Sequence, residues 1–548
     1  MKKKFSLLLT LSLLLSSCTL TKAIEGSNSS NSSHHSDTET NTETNTETET
    51  EKDTETEKDT NTNTSTGSED DTVKSLTVFA SNDFHGHVMQ EGNSMGLGYY
   101  GTFMKQRGVE PNTITLDQGD SWQGSIYSNM NYGRVVNDVM CEAKIYARTI
   151  GNHDFDWGID KLIETSNRKY NNYTLPTLGA NIYNYDFEHK IEGSSFRGDI
   201  ATSGRLAHLE NGLTIGIVGV IGSNQITSIS SQYVQDICFK DHIQEIKRRA
   251  EDLRELDNCD IVIASCHAGQ EDLVGNNLKN YVDLVLCGHT HRDEQTHEGN
   301  LYYGQFGANG EKIGMIKIDY DTVQKKVINT SIQSLDATAV IDACNNEVDP
   351  AIQNIITISN NQCNDAASEV LASSVSGYFQ KSEESVNVMC KAIMDETLKN
   401  PSYSDVIFSY CNTARAYLPN YQWTYADLYE SFPFDNKVYI IEVTGNEIKN
   451  EVMKYNNVCR APGFDGNISL SGKYKIACID YLAFHTNSNR YYDYFPNNNG
   501  EYIGVLDYNY RVILRNWLKN NGYNSTKTIY ASDYSSDLTE YSTDFNII

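Results

Sequence analysis

Short apolar runs that stop abruptly on polar residues recur through the first half of the chain. Leu76-Thr77-Val78-Phe79-Ala80 ends in Ser81-Asn82-Asp83-Phe84-His85-Gly86, the pattern of a buried strand that delivers polar groups at its C-terminal end. The same grammar appears at Ile114-Thr115-Leu116 before Asp117-Gln118-Gly119-Asp120 and at Thr149-Ile150 before Gly151-Asn152-His153-Asp154. It appears again at Ile261 to Ala264 before His267, and at Val282 to Cys287 before Gly288-His289-Thr290-His291. Between these runs the period changes: from Asp241 to Leu256 the apolar positions Ile243, Ile246, Ala250 and Leu253 share one face of a helix. Strands alternating with helices predict an α/β layered domain over residues 74–335 with its chemistry at the strand ends. Residues 336–383 turn polar and helix-like and predict a connector. From 384 to 548, apolar strands such as Val438 to Val443 and many tyrosines predict a second domain.

The N-terminal part has a different character. Lys2, Lys3 and Lys4 precede the apolar run Phe5 to Leu15 and then Ser16-Ser17-Cys18, the three-part layout of a secretory signal, too short to span a membrane. With Cys at the cleavage position, residues 1–17 resemble a bacterial lipoprotein signal, which implies lipidation at Cys18 and a membrane partner through that anchor. Residues 18–73 form a predicted stalk. Between Glu25 and Asp71 it holds fourteen acids against two lysines and almost nothing apolar, so it cannot bury enough surface to fold and its like charges extend it. The expected location is the cell surface or the periplasmic side of a bacterial membrane. A net charge of −29 argues against nucleic-acid polymers as partners, and a monomer is expected. Eleven cysteines besides Cys18 sit mostly in apolar contexts with no C-x-x-C pair, which predicts buried thiols rather than a disulfide framework or a thiolate zinc site.

The strand ends together offer Asp83, His85, Asp120, Asn152, His267, His289 and His291. Carboxylate oxygen with imidazole nitrogen suits Mn, Zn, Co or Fe, and a shared carboxylate can join two cations that activate water and clamp a phosphoryl group. Any one of these pieces alone would read as a surface loop or a satisfied polar cluster. In series, D-F-H-G at Asp83, G-D at Gly119, G-N-H-D-F-D at Gly151, H-A-G at His267 and G-H-T-H at Gly288 resemble the calcineurin-like metallophosphoesterase motifs, and G-N-H-D-F-D-W-G is similar to the 5′-nucleotidase branch. The resemblance implies a four-layer αββα metallophosphoesterase domain joined by a helical connector to a smaller α/β nucleotide-binding C-terminal domain. It also implies two divalent metal ions: one held by Asp83, His85, Asp120 and His291, the other by Asn152, His267 and His289 with Asp120 bridging. His153, oriented by Asp156, would stabilise phosphate charge and assist the leaving oxygen. The chain departs from the best-known bacterial members at His291, where those have Gln.

In the C-terminal half, Thr424-Tyr425-Ala426-Asp427-Leu428, then Phe432-Pro433-Phe434-Asp435-Asn436 and Val438 to Gly445, resemble the 5′-nucleotidase C-terminal signature. By that resemblance Phe434 would stack on the nucleobase and Asn436 would hydrogen-bond it. Asn412 and Arg415 occupy the place of the family's G-G-x-R segment, with Arg415 contacting phosphate or ribose. The family's F-x-x-x-G-G-D-G motif is not matched, and Tyr481 is the candidate for the second half of an aromatic clamp. The implied activity is release of phosphate from nucleoside 5′-monophosphates by attack of metal-bound hydroxide. Neighbouring alternatives are 2′,3′-cyclic-nucleotide phosphodiesterase, 3′-nucleotidase and nucleotide-sugar hydrolase activity. From another class, the alternative is a non-catalytic surface nucleotide-binding or adhesion lipoprotein.

Overall fold

The computed structural model describes residues 72–186, 191–454, 457–484, 494–495 and 501–548; Cys18 and the signal and stalk up to residue 71 lie outside them. Two six-stranded sheets dominate the N-terminal half. One runs in the order Lys326–Asp336, Lys312–Asp321, Val73–Ser81, Thr113–Asp117, Ala147–Thr149 and Thr177–Leu178. The other runs Asp293–Glu298, Leu301–Phe306, Leu284–Leu286, Ile261–His267, Thr214–Ile221 and Gly204–His208. Each has a central parallel set, Val73–Ser81 with Thr113–Asp117 and Ala147–Thr149 in the first, and Thr214–Ile221 with Ile261–His267 and Leu284–Leu286 in the second.

Strand periodicity explains how the layers stack. Leu76, Val78 and Ala80 meet Ile215, Ile217, Ile261, Ile263, Leu284 and Leu286 in one core between the sheets. The alternate residue Phe79 packs outward against Tyr100, Phe103 and Met104 of helix Gly96–Arg107 and against Ile352 of helix Pro350–Ala367. On the far side, Val218, Val220, Val262 and Ala264 pack against Ile246, Ala250 and Leu253 of helix His242–Glu255. Neighbours in a strand point to opposite faces, so each strand is apolar on both and the order is helix, sheet, sheet, helix. Burying each of the Val, Leu, Ile and Phe side chains among them stabilises the fold by roughly 1.5–3 kcal/mol. The helix His242–Glu255 begins where Asp241 accepts the Gln244 N–H (2.9 Å), as an N-cap should.

The predicted connector contains helices Ala337–Ala343 and Pro350–Ala367. The longer one, capped by Asp349 with Pro350 in its first turn, lies against the N-terminal helices rather than acting as a free spacer: Ile352, Ile355 and Ile356 share a core with Val135, Val136 and Val139. The C-terminal half is built on a five-stranded sheet in the order Val458–Arg460, Val406–Tyr410, Lys473–Ile479, Lys437–Thr444 and Gly504–Asn509, covered by helices Glu384–Thr397 and Tyr510–Asn520. A reciprocal Thr424–Asp427 capping box opens helix Tyr425–Ser431, which delivers the segment Phe432–Asn436. All eleven described cysteines are buried. Among the described residues, no helix is long and apolar enough to cross a membrane.

Candidate metal centre

Five strand ends converge at one edge of the sandwich, three from the first sheet and two from the second. One element differs from its sequence reading: His267 is the last residue of strand Ile261–His267 rather than part of a following loop, because the parallel pairing with Thr214–Ile221 continues to Ile221. Fully buried, its Nδ1–H donates to the Gln118 carbonyl (2.8 Å).

The seven predicted ligands fall into two groups. Asp83, His85 and His291 form one and Asp120, His267 and His289 the other. Asn152 joins the second through Oδ1, 3.1 Å from His267 Nε2 and 3.0 Å from His289 Nδ1. The loops make this possible with unusual backbone. Asp83, His85, Asp120, His289 and His291 all have positive φ, between 50° and 76°, a region that L-residues rarely adopt. Gly119 (φ +91°) lies where a Cβ would meet the Gly151 nitrogen at 2.7 Å, and a Cβ on Gly151 would strike the Asp120 carboxylate.

The donor chemistry fits divalent cations. A carbonyl only accepts, so the Nδ1 of His85, 2.9 Å from the Gln123 carbonyl, carries its proton and Nε2 is left as a lone pair. That lone pair faces His291 Nε2 at 3.0 Å. His267 is arranged likewise, its Nε2 lying 3.1 Å from both Asp120 Oδ2 and Asn152 Oδ1. Converging lone pairs repel unless a cation sits among them. Burial, with neighbouring His267, holds His289 down at about 3, and burial with Arg415 holds His291 down at about 4, so both imidazoles stay neutral and available as ligands. Burial pushes Asp83 up to about 7. Burial also pulls His267 down, but Asp120, Asp83 and the Gln118 carbonyl together raise it to about 9, so without a metal a proton on Nε2 facing Asp120 takes the place that a cation would fill.

His153 and Asp156 lie beside the groups. His153 Nδ1 is 2.8 Å from Asp156 Oδ2, and the His153 backbone N–H donates to Asp120 Oδ1 (2.8 Å). The imidazole ring stands 5.5 Å from that of His85 and is stacked 5.4 Å from Phe434, at 23°. Arg415 approaches the same Phe434 ring, its Cζ 5.8 Å from the centroid. Phe434 and Arg415 thus reach the predicted centre. Of the other substrate candidates, Tyr481 donates to the Thr227 carbonyl (3.5 Å) and lies near enough to Arg415 and Asp156 to feel their charges, Asn436 is buried, and Asn412 is half-buried after strand Val406–Tyr410.

Sequence reading missed the support beneath the site. Arg148 and Asp154, both fully buried, form an ion pair. Asp154 Oδ2 also takes the Gly151 N–H (2.8 Å), and the Arg148 guanidinium lies 3.9 Å from the Trp122 ring. Arg148 therefore ties the loop of Asp120 to the loop of Asn152 and His153. A charged residue inside the apolar run Ile145 to Ile150 is the signal that could have found it. Arg511 supports the segment Phe432–Asn436 in the same way, and nothing local in the sequence announces it.

Residues 77–293 match the calcineurin-like phosphoesterase family. Among known proteins, the chain is 29% identical to mouse 5′-nucleotidase over 230 residues, 39% of this chain and 38% of that protein. It is 31% identical to an apyrase of Tabanus yao over 231 residues, 39% of each. The chain thus spans about two-fifths of the length of these curated relatives. A 5′-nucleotidase precursor of Thermus thermophilus superposes over 83% of this chain and 97% of its own, with a TM-score of 0.65 at 15% identity, so the likeness of fold extends through the C-terminal half. The N-terminal half is a calcineurin-like phosphoesterase domain, of the class whose members are metal-dependent phosphoesterases. Its homologues and structural neighbours include 5′-nucleotidases, to which the chain is similar in sequence over the matched region and in fold through the C-terminal half.

Proposed function

We propose that this protein hydrolyses nucleoside 5′-monophosphates at a dinuclear metal centre. The observation that carries the reading is the convergence of two ligand groups beside an Asp156-oriented His153 whose ring meets Phe434 of the C-terminal lobe. Asp83, His85 and His291 would hold one divalent cation and Asn152, His267 and His289 the other, with Asp120 between them. Such a pair, when bound, neutralises phosphoryl charge and lowers the pKa of water.

The chain's own groups supply the rest. Asp156 accepts from His153 Nδ1, fixing the tautomer and leaving Nε2 to meet the phosphoryl group or the departing oxygen. The His153 ring stands between His85 and Phe434, where the ester oxygen must pass from the metal side to the nucleoside side. Arg415 adds positive charge at the same mouth, and Phe434 offers a π-face to the nucleoside. Asn412, Asn436 and Tyr481 complete the proposed recognition surface. The segment Lys2 to Cys18 supports lipid anchoring outside the cytoplasm, and loss of membrane association in Cys18→Ala tests it.

The test of activity is phosphate release from AMP, GMP, UMP, ATP, 2′,3′-cyclic AMP and UDP-glucose with Mn, Zn or Co, comparing wild type with His153→Ala. Turnover of 5′-mononucleotides that collapses in the variant is expected. Turnover confined to cyclic nucleotides or UDP-glucose would move the protein to the neighbouring activities. No turnover with any metal would overturn the catalytic reading.

A further inference from the structure

The segment Phe432–Asn436 is gripped from two sides. Within its own lobe, the buried Arg511 donates through Nη1 to the carbonyls of Phe432 (2.7 Å) and Phe434 (2.8 Å) and pairs with Asp435 through Nη2. Its guanidinium lies 3.5 Å from the Tyr429 ring. Moving the segment would strand a buried charge, which is costly. The carbonyl between these two, that of Pro433, is taken by the other lobe: Gln123 Nε2 donates to it at 3.2 Å and Asn129 Nδ2 at 3.0 Å.

Both donors are buried, at 2% and 6% exposure. Asn129 Oδ1 accepts the Gly124 N–H (2.8 Å), which fixes its amide orientation. Gln123 belongs to the turn whose carbonyl takes the His85 Nδ1 proton. One residue beyond the shared carbonyl, Phe434 lies against His153. The separation between metal centre and recognition ring is therefore set by two side-chain amides and a single residue step.

We propose that Gln123 and Asn129 are specificity-determining positioning residues: by clasping the Pro433 carbonyl they fix the reach from the metal centre to the recognition segment, and so favour nucleotides over smaller phosphoesters. This rests on the nucleotidase reading above. A nucleotide spans both lobes and senses that reach, whereas a small ester engages only the metal centre and its neighbours.

The double variant Gln123→Met, Asn129→Asp removes both donors while keeping side-chain size and the Asn129 oxygen that caps Gly124. The ratio of kcat/KM for AMP to that for p-nitrophenyl phosphate should fall about tenfold or more, as expected for two lost hydrogen bonds to a buried acceptor. Backbone amides of the Phe432–Asn436 segment should exchange faster with deuterium. Unchanged exchange would overturn the clasp whatever the activity, and an unchanged ratio, including an equal fall for both substrates, would overturn the specificity role. A wild type that hydrolyses p-nitrophenyl phosphate but no nucleotide would overturn the nucleotidase reading and the specificity role with it. A wild type that prefers AMP, with the preference intact in the variant, would overturn the specificity role alone.

Discussion

The two lobes meet at His153 and Phe434 but are built under different constraints. On the metal side, five of the seven predicted ligands have left-handed backbone, each at a cost on the order of 1–3 kcal/mol. On the recognition side, no described non-glycine residue beyond Asn346 has positive φ. Arg415, Phe434, Asn436 and Tyr481 stand on ordinary backbone and take their places from packing and from Arg511. Metal ligation demands donor directions that regular structure cannot supply, so strain persists where the surrounding loops over-determine it. The proposed recognition of a flat base would make no such demand, and that surface could change without rebuilding the fold.

The largest expected effect strikes the strained side. His153→Ala should lower kcat/KM for a nucleotide about 10²–10⁴-fold, mostly through kcat, as steady-state kinetics would show. A loss confined to KM would mean that His153 belongs with the recognition surface. Next is the buried pair beneath it. Arg148→Met leaves Asp154 uncompensated and should cost about 3–5 kcal/mol in urea denaturation, and adding Asp154→Leu should restore most of that.

The contact between the lobes should report through pH. Asp480 accepts from Gln232 Nε2 (2.8 Å) and the Lys437 N–H (3.0 Å), with Tyr233 and Cys478 near enough to feel its charge. Burial raises its carboxyl from 3.8 to about 6 despite those hydrogen bonds. Between these values the unfolded chain has lost the proton and the native chain keeps it, so stability must fall as pH rises from about 4 to about 6 and level off above. The loss is about 3 kcal/mol. Denaturation midpoints across this range should lose that component of their slope in Asp480→Asn, and an unchanged slope would assign the effect elsewhere. The smallest effect should be at the ring. Phe434→Ala should raise KM for a nucleotide about 5- to 100-fold, the range of one base-stacking contact, with kcat little changed. A matching fall in kcat would erase the division of labour between the lobes.

Legibility in the sequence follows the same division. The ligands could be read because their side chains are the chemistry, and the apolar runs before them show the strands that carry them. The alternation of Leu76, Val78 and Ala80 with Phe79 already contains both faces of the first sheet. The supports could not be read. Arg148 and Arg511 matter through partners chosen by tertiary packing, and Asp480 is an ordinary carboxylate until Gln232 reaches it across the lobes. The Pro433 clasp depends on a backbone carbonyl, which every residue has. Gln123 and Asn129 carry no signal that distinguishes them from any buried amide.

The pairing of Val73–Ser81 with Lys312–Asp321 bears on how the protein is made. The strand that carries the first ligand lies inside its sheet, yet the partner on one side emerges from the ribosome 248 residues later. At ordinary synthesis rates that is about 12–50 s, during which an apolar strand offers an open edge. The last predicted ligand, His291, precedes that partner in the chain. The chain thus has all its ligands in hand before the scaffold that orders them can close, so this lobe is expected to order only once residue 321 is available to pair.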